Sequence, residues 1–143
     1  MQGDNTMNLD DAKKIRQACT IADITSNWTK MTDRHLPPNG EGTQFMTAVA
    51  NDVIGLIAKA IKIGGFGGGG ALTACNAYSA ADDASKVIIV GTFPAQVGAT
   101  NPGGAACFNI QVVLGKGADG KLIFYSAYPV VAPPPAAALL GTL

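Results

Sequence analysis

The hydrophobic pattern divides the chain into a helical first half and a strand-like second half. In the first half, apolar residues recur at spacings of three and four, the period of an amphipathic helix. This period predicts helices over residues 8–22, 23–34 and 47–63. In the second half, β-branched and alternating apolar residues predict strands over residues 86–93, 106–114 and 121–131, with a shorter strand over 72–78. The order predicts an α+β fold in which N-terminal helices pack on a twisted antiparallel β-sheet.

Turn residues refine this organisation at the end of the chain. The pair Asp119-Gly120 lies between two apolar runs and predicts a hairpin that pairs residues 109–114 with 122–128. Strict alternation would place Leu122, Phe124, Ser126 and Tyr128 on one face of the last strand. Three consecutive prolines, 133–135, would end the sheet and leave a loosely docked tail or a linker. We therefore divide the chain into a helical lead-in (1–27), a main domain (28–131) and a Pro/Ala-rich tail (132–143).

The run 64–70 is unusually rich in glycine and permits two interpretations. A glycine-rich loop can cradle a phosphate, but such loops follow a strand and carry a Lys-Ser/Thr pair. Neither feature accompanies this run. A flexible connector after the third helix is the favoured interpretation.

Composition excludes several classes of protein. Hydrophobic residues make up 48% of the chain and charged residues 14%, which excludes a disordered chain. Ten basic residues balance ten acidic ones, so the overall basic excess typical of nucleic-acid binders is absent and any such binding must be local. The apolar-leaning stretch 45–70 is interrupted by charges and glycines, so no membrane segment is predicted. The polar start of the chain, residues 1–11, does not have the pattern of a secretory signal.

The residues that bind metals are few and widely spaced. The chain has one histidine and three cysteines, Cys19, Cys75 and Cys107, without the paired spacing of a zinc site. We predict three buried thiols, with one disulfide and one free thiol as the alternative. No metal or cofactor is predicted.

His35 is the one side chain that titrates near neutrality without assistance. A lone histidine is most often structural. Here Lys30 and Arg34 precede it and a polar, glycine-containing loop follows, a combination that could hold a phosphate. Trp28, in the same segment, is more often a core residue than a platform for a base.

Two motifs carry a resemblance to a known family. The first is the pattern W..M..RH followed by G.GTQF, formed by Trp28, Met31, Arg34, His35 and residues 40–45. The second is the final strand, residues 120–129, written GKLIFYSAYP, which fits the family's G-x-[IL]-[IV]-T-A-[YF]-P with one insertion and with Ser for Thr. Together, in this order, they resemble the EndoU-like nuclease toxin domains. These domains belong to the small α+β ribonuclease toxins, a class that includes colicin-type tRNases. They lie at the C-terminus of bacterial polymorphic toxins, such as those of contact-dependent growth inhibition.

The resemblance implies a metal-independent endoribonuclease that leaves a 2′,3′-cyclic phosphate. RNA, and tRNA in particular, would be the substrate, and a cognate immunity protein would neutralise the enzyme. A bacterium would secrete the toxin or deliver it from its surface, and it would act in the target cell's cytoplasm. The residues that this implies for the site are His35, Ser126 and Tyr128. Arg34 and Lys121 are candidates for supplying positive charge at the phosphate. The sites of full EndoU enzymes have two histidines and a lysine, whereas this chain has a single histidine.

A non-catalytic alternative comes from composition. Low charge, abundant Ala and Gly and the Pro/Ala tail also suit a structural or assembly protein of a phage or a secreted filament. Such a protein would not need the residues around His35.

Lys30, Lys62 and Lys121 are further candidates for binding phosphate if the chain is a nuclease.

Overall fold

The two predicted N-terminal helices are present, but the break between them lies at residues 19–20 and not between 22 and 23. The computed structural model describes residues 7–31, 35–36, 42–63, 72–80, 83–101 and 103–143. Helix α1 (Leu9–Ala18) begins at a capping box in which Asn8 and Asp11 each accept the other's backbone N–H. Helix α2 (Ile21–Met31) begins directly after Thr20, whose hydroxyl accepts from Asp23 N while its own N–H donates to the Asp23 carboxylate. This second cap ends the continuity that the period alone predicted over 8–22.

The third helix is shorter than predicted, and a strand precedes it. Helix α3 (Ala50–Ala60) begins three residues after the predicted start at residue 47. Thr47 Oγ1 accepts the backbone N–H of Val49, and this bond keeps residues 47–49 outside the helix. Strand β1 (Gly42–Phe45) was not predicted. Its pairing partner comes from the second half of the chain, where β4 (Gly98–Asn101) joins it to β5 (Ala106–Cys107) in a small antiparallel sheet.

The main sheet confirms the α+β prediction. Its strands are β2 (Ala74–Ser79), β3 (Lys86–Thr92), β6 (Asn109–Lys116), β7 (Leu122–Val130) and β8 (Leu139–Thr142). They are hydrogen-bonded in the order β7-β6-β3-β2-β8, and every pairing is antiparallel. The hairpin of β6 and β7 forms as the Asp-Gly turn predicted.

A β-bulge in β7 makes the predicted alternation wrong. The register passes from Val113 opposite Ser126 to Leu114 opposite Phe124, so Tyr125 is an extra residue on β7. Phe124 packs against the core before the bulge, and Ala127 is fully buried after it. Ser126 and Tyr128 therefore lie on the face opposite Leu122 and Phe124, not on the same face.

The helices cover one face of the main sheet. Cys75 Sγ lies 3.3 Å from the carbonyl oxygen of Ala60, and a Cβ on Gly91 would come within 2.6 Å of the Ala60 backbone. The core between these layers includes residues of all three helices, with the largest fully buried side chains being Phe45, Ile24, Ile57, Ile61, Ile89, Ile110 and Leu114. No helix in the described part of the chain has the length and apolar character that a membrane crossing requires.

The C-terminal tail belongs to the sheet, which corrects the prediction of a loose tail or linker. Strand β8 pairs with β2, and the connection from β7 joins diagonally opposite corners of the sheet. Asn109 Nδ2 donates to the Val131 carbonyl at one end of this connection, and Ser79 Oγ donates to the Ala138 carbonyl at the other. One face of the main sheet is not covered by helices, yet Val90 and Tyr78 on that face are only 2% and 6% exposed. We infer that residues 131–138 cross this face and cover them.

Candidate functional site

His35 is held beside strand β1 by two hydrogen bonds. The backbone N–H of Phe45 donates to the His35 carbonyl at 2.8 Å, and His35 Nδ1 lies 2.8 Å from the Thr43 carbonyl oxygen. The neighbouring Leu36 is buried at 3% exposure and anchors the segment. Because a carbonyl only accepts, Nδ1 must carry the proton, and the lone pair of the neutral ring is then on Nε2. This tautomer directs the basic nitrogen away from the strand.

Tyr128 stacks on the His35 ring. The ring centroids are 4.9 Å apart and the planes are inclined by 18°. Gln111 Nε2 donates to the Tyr128 hydroxyl at 2.9 Å, from the position directly opposite on β6. The bond uses the phenolic oxygen as acceptor, so the hydroxyl hydrogen of Tyr128 remains directed elsewhere. An imidazole and a phenol from opposite halves of the chain are therefore in contact, as expected if His35 and Tyr128 share a cleft.

Ser126 lies on the same sheet face as Tyr128. The two positions are two apart along the strand, a distance of about 7 Å. Both side chains are half-buried, and Ala127 between them points into the core at 0% exposure. The prediction that Ser126 and Tyr128 share a face, with Ala127 in the other layer, is thus confirmed.

The predicted lysines are not brought to this site. Lys121 is exposed beside the hairpin turn, where its backbone N–H donates to Asp119, and the length of β7 places it about 20 Å from Tyr128. Lys62 donates to the Leu143 carbonyl beside β8, at the opposite edge of the sheet. Arg34 lies outside the described residues, as do the glycine run and the side chain of Lys30. Trp28 packs against the hydrophobic core, as predicted.

Two residues of the site were missed from the sequence. Thr43 acts through its backbone carbonyl, which leaves no signal in a residue type. Gln111 has a signal, because it is a polar residue inside an otherwise apolar strand. Its pairing with Tyr128 depends on the bulge at Tyr125, however, and a regular hairpin register would have placed it opposite Ala127.

The remaining reactive groups lie apart from the site. All three cysteines are free and buried, which confirms the prediction of three thiols. Burial raises the pKa of Cys19 to about 12 and raises the pKa values of Cys75 and Cys107, so these thiols stay protonated. Among the described residues, no group of three or more His, Cys, Asp or Glu side chains is arranged to hold a metal.

A pocket beside helix α1 is also separate from His35. It is a pocket of about 450 Å³ between α1 and the ends of β3 and β6, lined in part by Lys14, Ser85, Lys116 and Leu122. None of the site residues lines it. Comparisons with protein-family models, curated proteins and solved structures find no match for the chain.

Proposed function

We propose that this protein is a metal-independent endoribonuclease whose site is built around His35 and Tyr128. The observation that carries the proposal is the stacking of the chain's single histidine on a tyrosine of the last hairpin strand, with the imidazole tautomer fixed by Thr43. The order of the motifs in the chain supports the same class of enzyme.

The chemistry of RNA cleavage matches these groups. RNA carries its own nucleophile, the 2′-hydroxyl, so cleavage needs a base for that proton, a donor to the phosphate oxygens and an acid for the leaving oxygen. His35 Nε2 would take the 2′-OH proton as the 2′ oxygen bonds to phosphorus. The bond from phosphorus to the 5′ oxygen then breaks, that oxygen takes a proton from a water molecule, and the hydroxide left behind is neutralised by the proton that His35 took, so that a 2′,3′-cyclic phosphate and a 5′-hydroxyl remain.

Hydroxyl donors would stabilise the negative charge that develops on the phosphate. The Tyr128 hydroxyl is held in place by Gln111 and lies beside the imidazole. The Ser126 hydroxyl lies farther along the same face. Donors that are positioned before the reaction stabilise a transition state because they need no reorganisation. The proposal also includes Arg34, adjacent in sequence to His35, as a positive charge that would stabilise the same phosphate.

The biological setting follows from the motif resemblance alone. A ribonuclease that meets the RNA of its own cell must be silenced, which we expect a cognate immunity protein to do by covering the site. Its contacting face would be acidic, because Lys30 and Arg34 make the His35 segment locally basic and complementary charge steers association. Delivery from a bacterium into a target cell, with tRNA as the substrate, belongs to the same proposal.

The test is cleavage of RNA in excess chelator. Purified protein is incubated with total RNA in EDTA, and the fragments are analysed for 5′-hydroxyl and 2′,3′-cyclic phosphate ends. An oligonucleotide of the same sequence with 2′-deoxyribose is the matched control, because it lacks the nucleophile. We expect discrete RNA fragments with cyclic ends and an intact deoxy strand. Intact RNA with folded protein would refute the proposal and favour the non-catalytic alternative.

A further inference from the structure

The bulge in β7 exposes a second aromatic residue beside the site. Tyr125 and Ser126 are consecutive, yet both lie outside the core, because Phe124 before them and Ala127 after them pack into it. Tyr125 is 37% exposed. Tyr125 is three positions before Tyr128 on β7, a distance of about 10 Å. The bulge thus extends the surface around His35 along β7, on the sheet face without helices.

A glycine on the neighbouring strand gives the Tyr125 ring its position. A Cβ on Gly115 would come within 2.6 Å of Tyr125 Cε2, so the ring lies over a place where β6 has no side chain. On β3, the strand that pairs with β6, the Lys86 ammonium lies 4.4 Å from the centroid of the Tyr125 ring. This cation–π contact restrains a side chain that is otherwise flexible.

The carboxylate of Asp83, three residues before Lys86, is hydrogen-bonded to Ser85. The Asp83 carboxylate accepts from the backbone N–H of Ser85 at 2.8 Å and from its hydroxyl at 2.6 Å. These bonds, with a smaller contribution from the Lys86 charge, lower the pKa of Asp83. Asp83 is therefore directed towards Ser85, and the Lys86 ammonium is directed to the face of Tyr125.

We propose that Lys86, positioned by Tyr125, binds a backbone phosphate of single-stranded RNA a few nucleotides from the cleaved linkage. This proposal rests on the proposed function and specifies its substrate as a strand that extends beyond the two nucleotides being separated. Tyr125 and Tyr128 lie about 10 Å apart along β7, a length that roughly three nucleotides span at stacked spacing and fewer span in an extended strand. A positively charged groove beside aromatic side chains is how proteins follow an unpaired strand.

The salt dependence of binding tests this phosphate contact. The probe is a fluorescein-labelled, single-stranded 2′-O-methyl oligoribonucleotide, which has no free 2′-hydroxyl and is not cleaved. Its Kd is measured by anisotropy over a series of salt concentrations. Each phosphate contact to a single strand contributes about 0.7 to the slope of log K against log salt. We expect Lys86→Gln to lower the magnitude of the slope by about 0.7, and Lys86→Arg to restore it.

Variants of Tyr125 separate the positioning role from the charge. Tyr125→Leu should weaken binding about 2- to 5-fold while most of the slope remains, because the ring's contact with the cation is lost but the charge is kept. Tyr125→Phe keeps the ring and should bind like the wild type. Lys13→Gln, on helix α1, is the matched control for loss of a surface charge and should leave the slope unchanged.

The outcomes distinguish this proposal from the proposed function. An unchanged slope in Lys86→Gln overturns the phosphate contact, even if the wild type cleaves RNA. No binding of the probe by the wild type overturns it as well. Binding with the expected loss of slope but without cleavage of unmodified RNA would support the contact and refute the enzyme.

Discussion

Substitution of Gly98 by alanine tests how the two sheets bring His35 to Tyr128. Gly98 lies on β4, whose partner β1 carries the hydrogen bonds to His35. An alanine Cβ at this position would lie 2.5 Å from Pro129 Cγ and 2.7 Å from the Gln44 carbonyl oxygen, well inside the 3.4–4 Å of ordinary contacts. Pro129 follows Tyr128 on β7, so the small sheet and β7 must separate by about 1 Å to relieve the overlap.

This separation has two expected costs. Overpacking a core contact costs about 1–3 kcal/mol of unfolding free energy. For a chain of this length, that corresponds to a fall in Tm of about 3–10 °C. The second cost is local, since His35 moves with β1 while Tyr128 stays with β7. A misplacement of about 1 Å in a catalytic site can reduce the rate by about 10²-fold.

The assay follows the histidine ring directly. His35 is the only histidine in the sequence, so its imidazole proton signals in NMR spectra need no assignment among several residues. Stacking on Tyr128 should shift these signals upfield in the wild type, and Gly98→Ala should move them towards the positions of a free imidazole. Pro129→Gly, which removes the overlapping Cβ and ring, should partly restore the shift in the double variant.

Gly91→Ala is the matched control for loss of stability. Its Cβ would overlap the Ala60 backbone at 2.6 Å, on the helix side of the main sheet and away from the contact between the sheets. We expect a comparable fall in Tm with the His35 signals unchanged. Equal shifts in both variants, or no change in Gly98→Ala, would refute the inference that the packing of the small sheet on β7 sets the geometry of the site.

Three further predictions concern the site, the thiols and the core. Tyr128→Phe should lower cleavage of RNA while its Tm falls by only a few degrees, because it loses one hydrogen bond worth about 1 kcal/mol and keeps the ring; wild-type cleavage would exclude a role for the hydroxyl. Cys19, Cys75 and Cys107 should resist a thiol reagent at pH 8 in the native protein and react fully in denaturant, because burial raises their pKa values; rapid native reaction would contradict their burial. Ile57→Ala should lower the free energy of unfolding by about 2–5 kcal/mol in urea titrations, and a loss below 1 kcal/mol would be inconsistent with its complete burial.

The fold was largely predictable because its signals are local. The period of three and four identified the helical half, and the Asp-Gly turn identified the hairpin of β6 and β7. Features that depend on distant partners were not predictable. Strand β1 pairs with β4 far along the chain, and β8 pairs with β2. A four-residue strand has no period that distinguishes it from a loop.

The candidate site was predictable in its residues and less so in its geometry. His35, Ser126 and Tyr128 were identified by motif, and the structure brings the rings of His35 and Tyr128 together. The bulge at Tyr125 could not be predicted from alternation, although it determines which side chains accompany Tyr128. Lys121 was placed in the site because it belongs to the same motif, but the motif runs along a strand and its ends lie far apart.

The most direct test of the central claim is the single-turnover rate of RNA cleavage, in EDTA, by the wild type and by His35→Ala. The NMR spectra and Tm of both proteins are recorded to establish that the variant is folded. General acid–base catalysis contributes about 10²–10⁴-fold to a rate, so we expect the folded variant to be slower by at least about 10²-fold. Cleavage by folded His35→Ala at the wild-type rate would contradict the account.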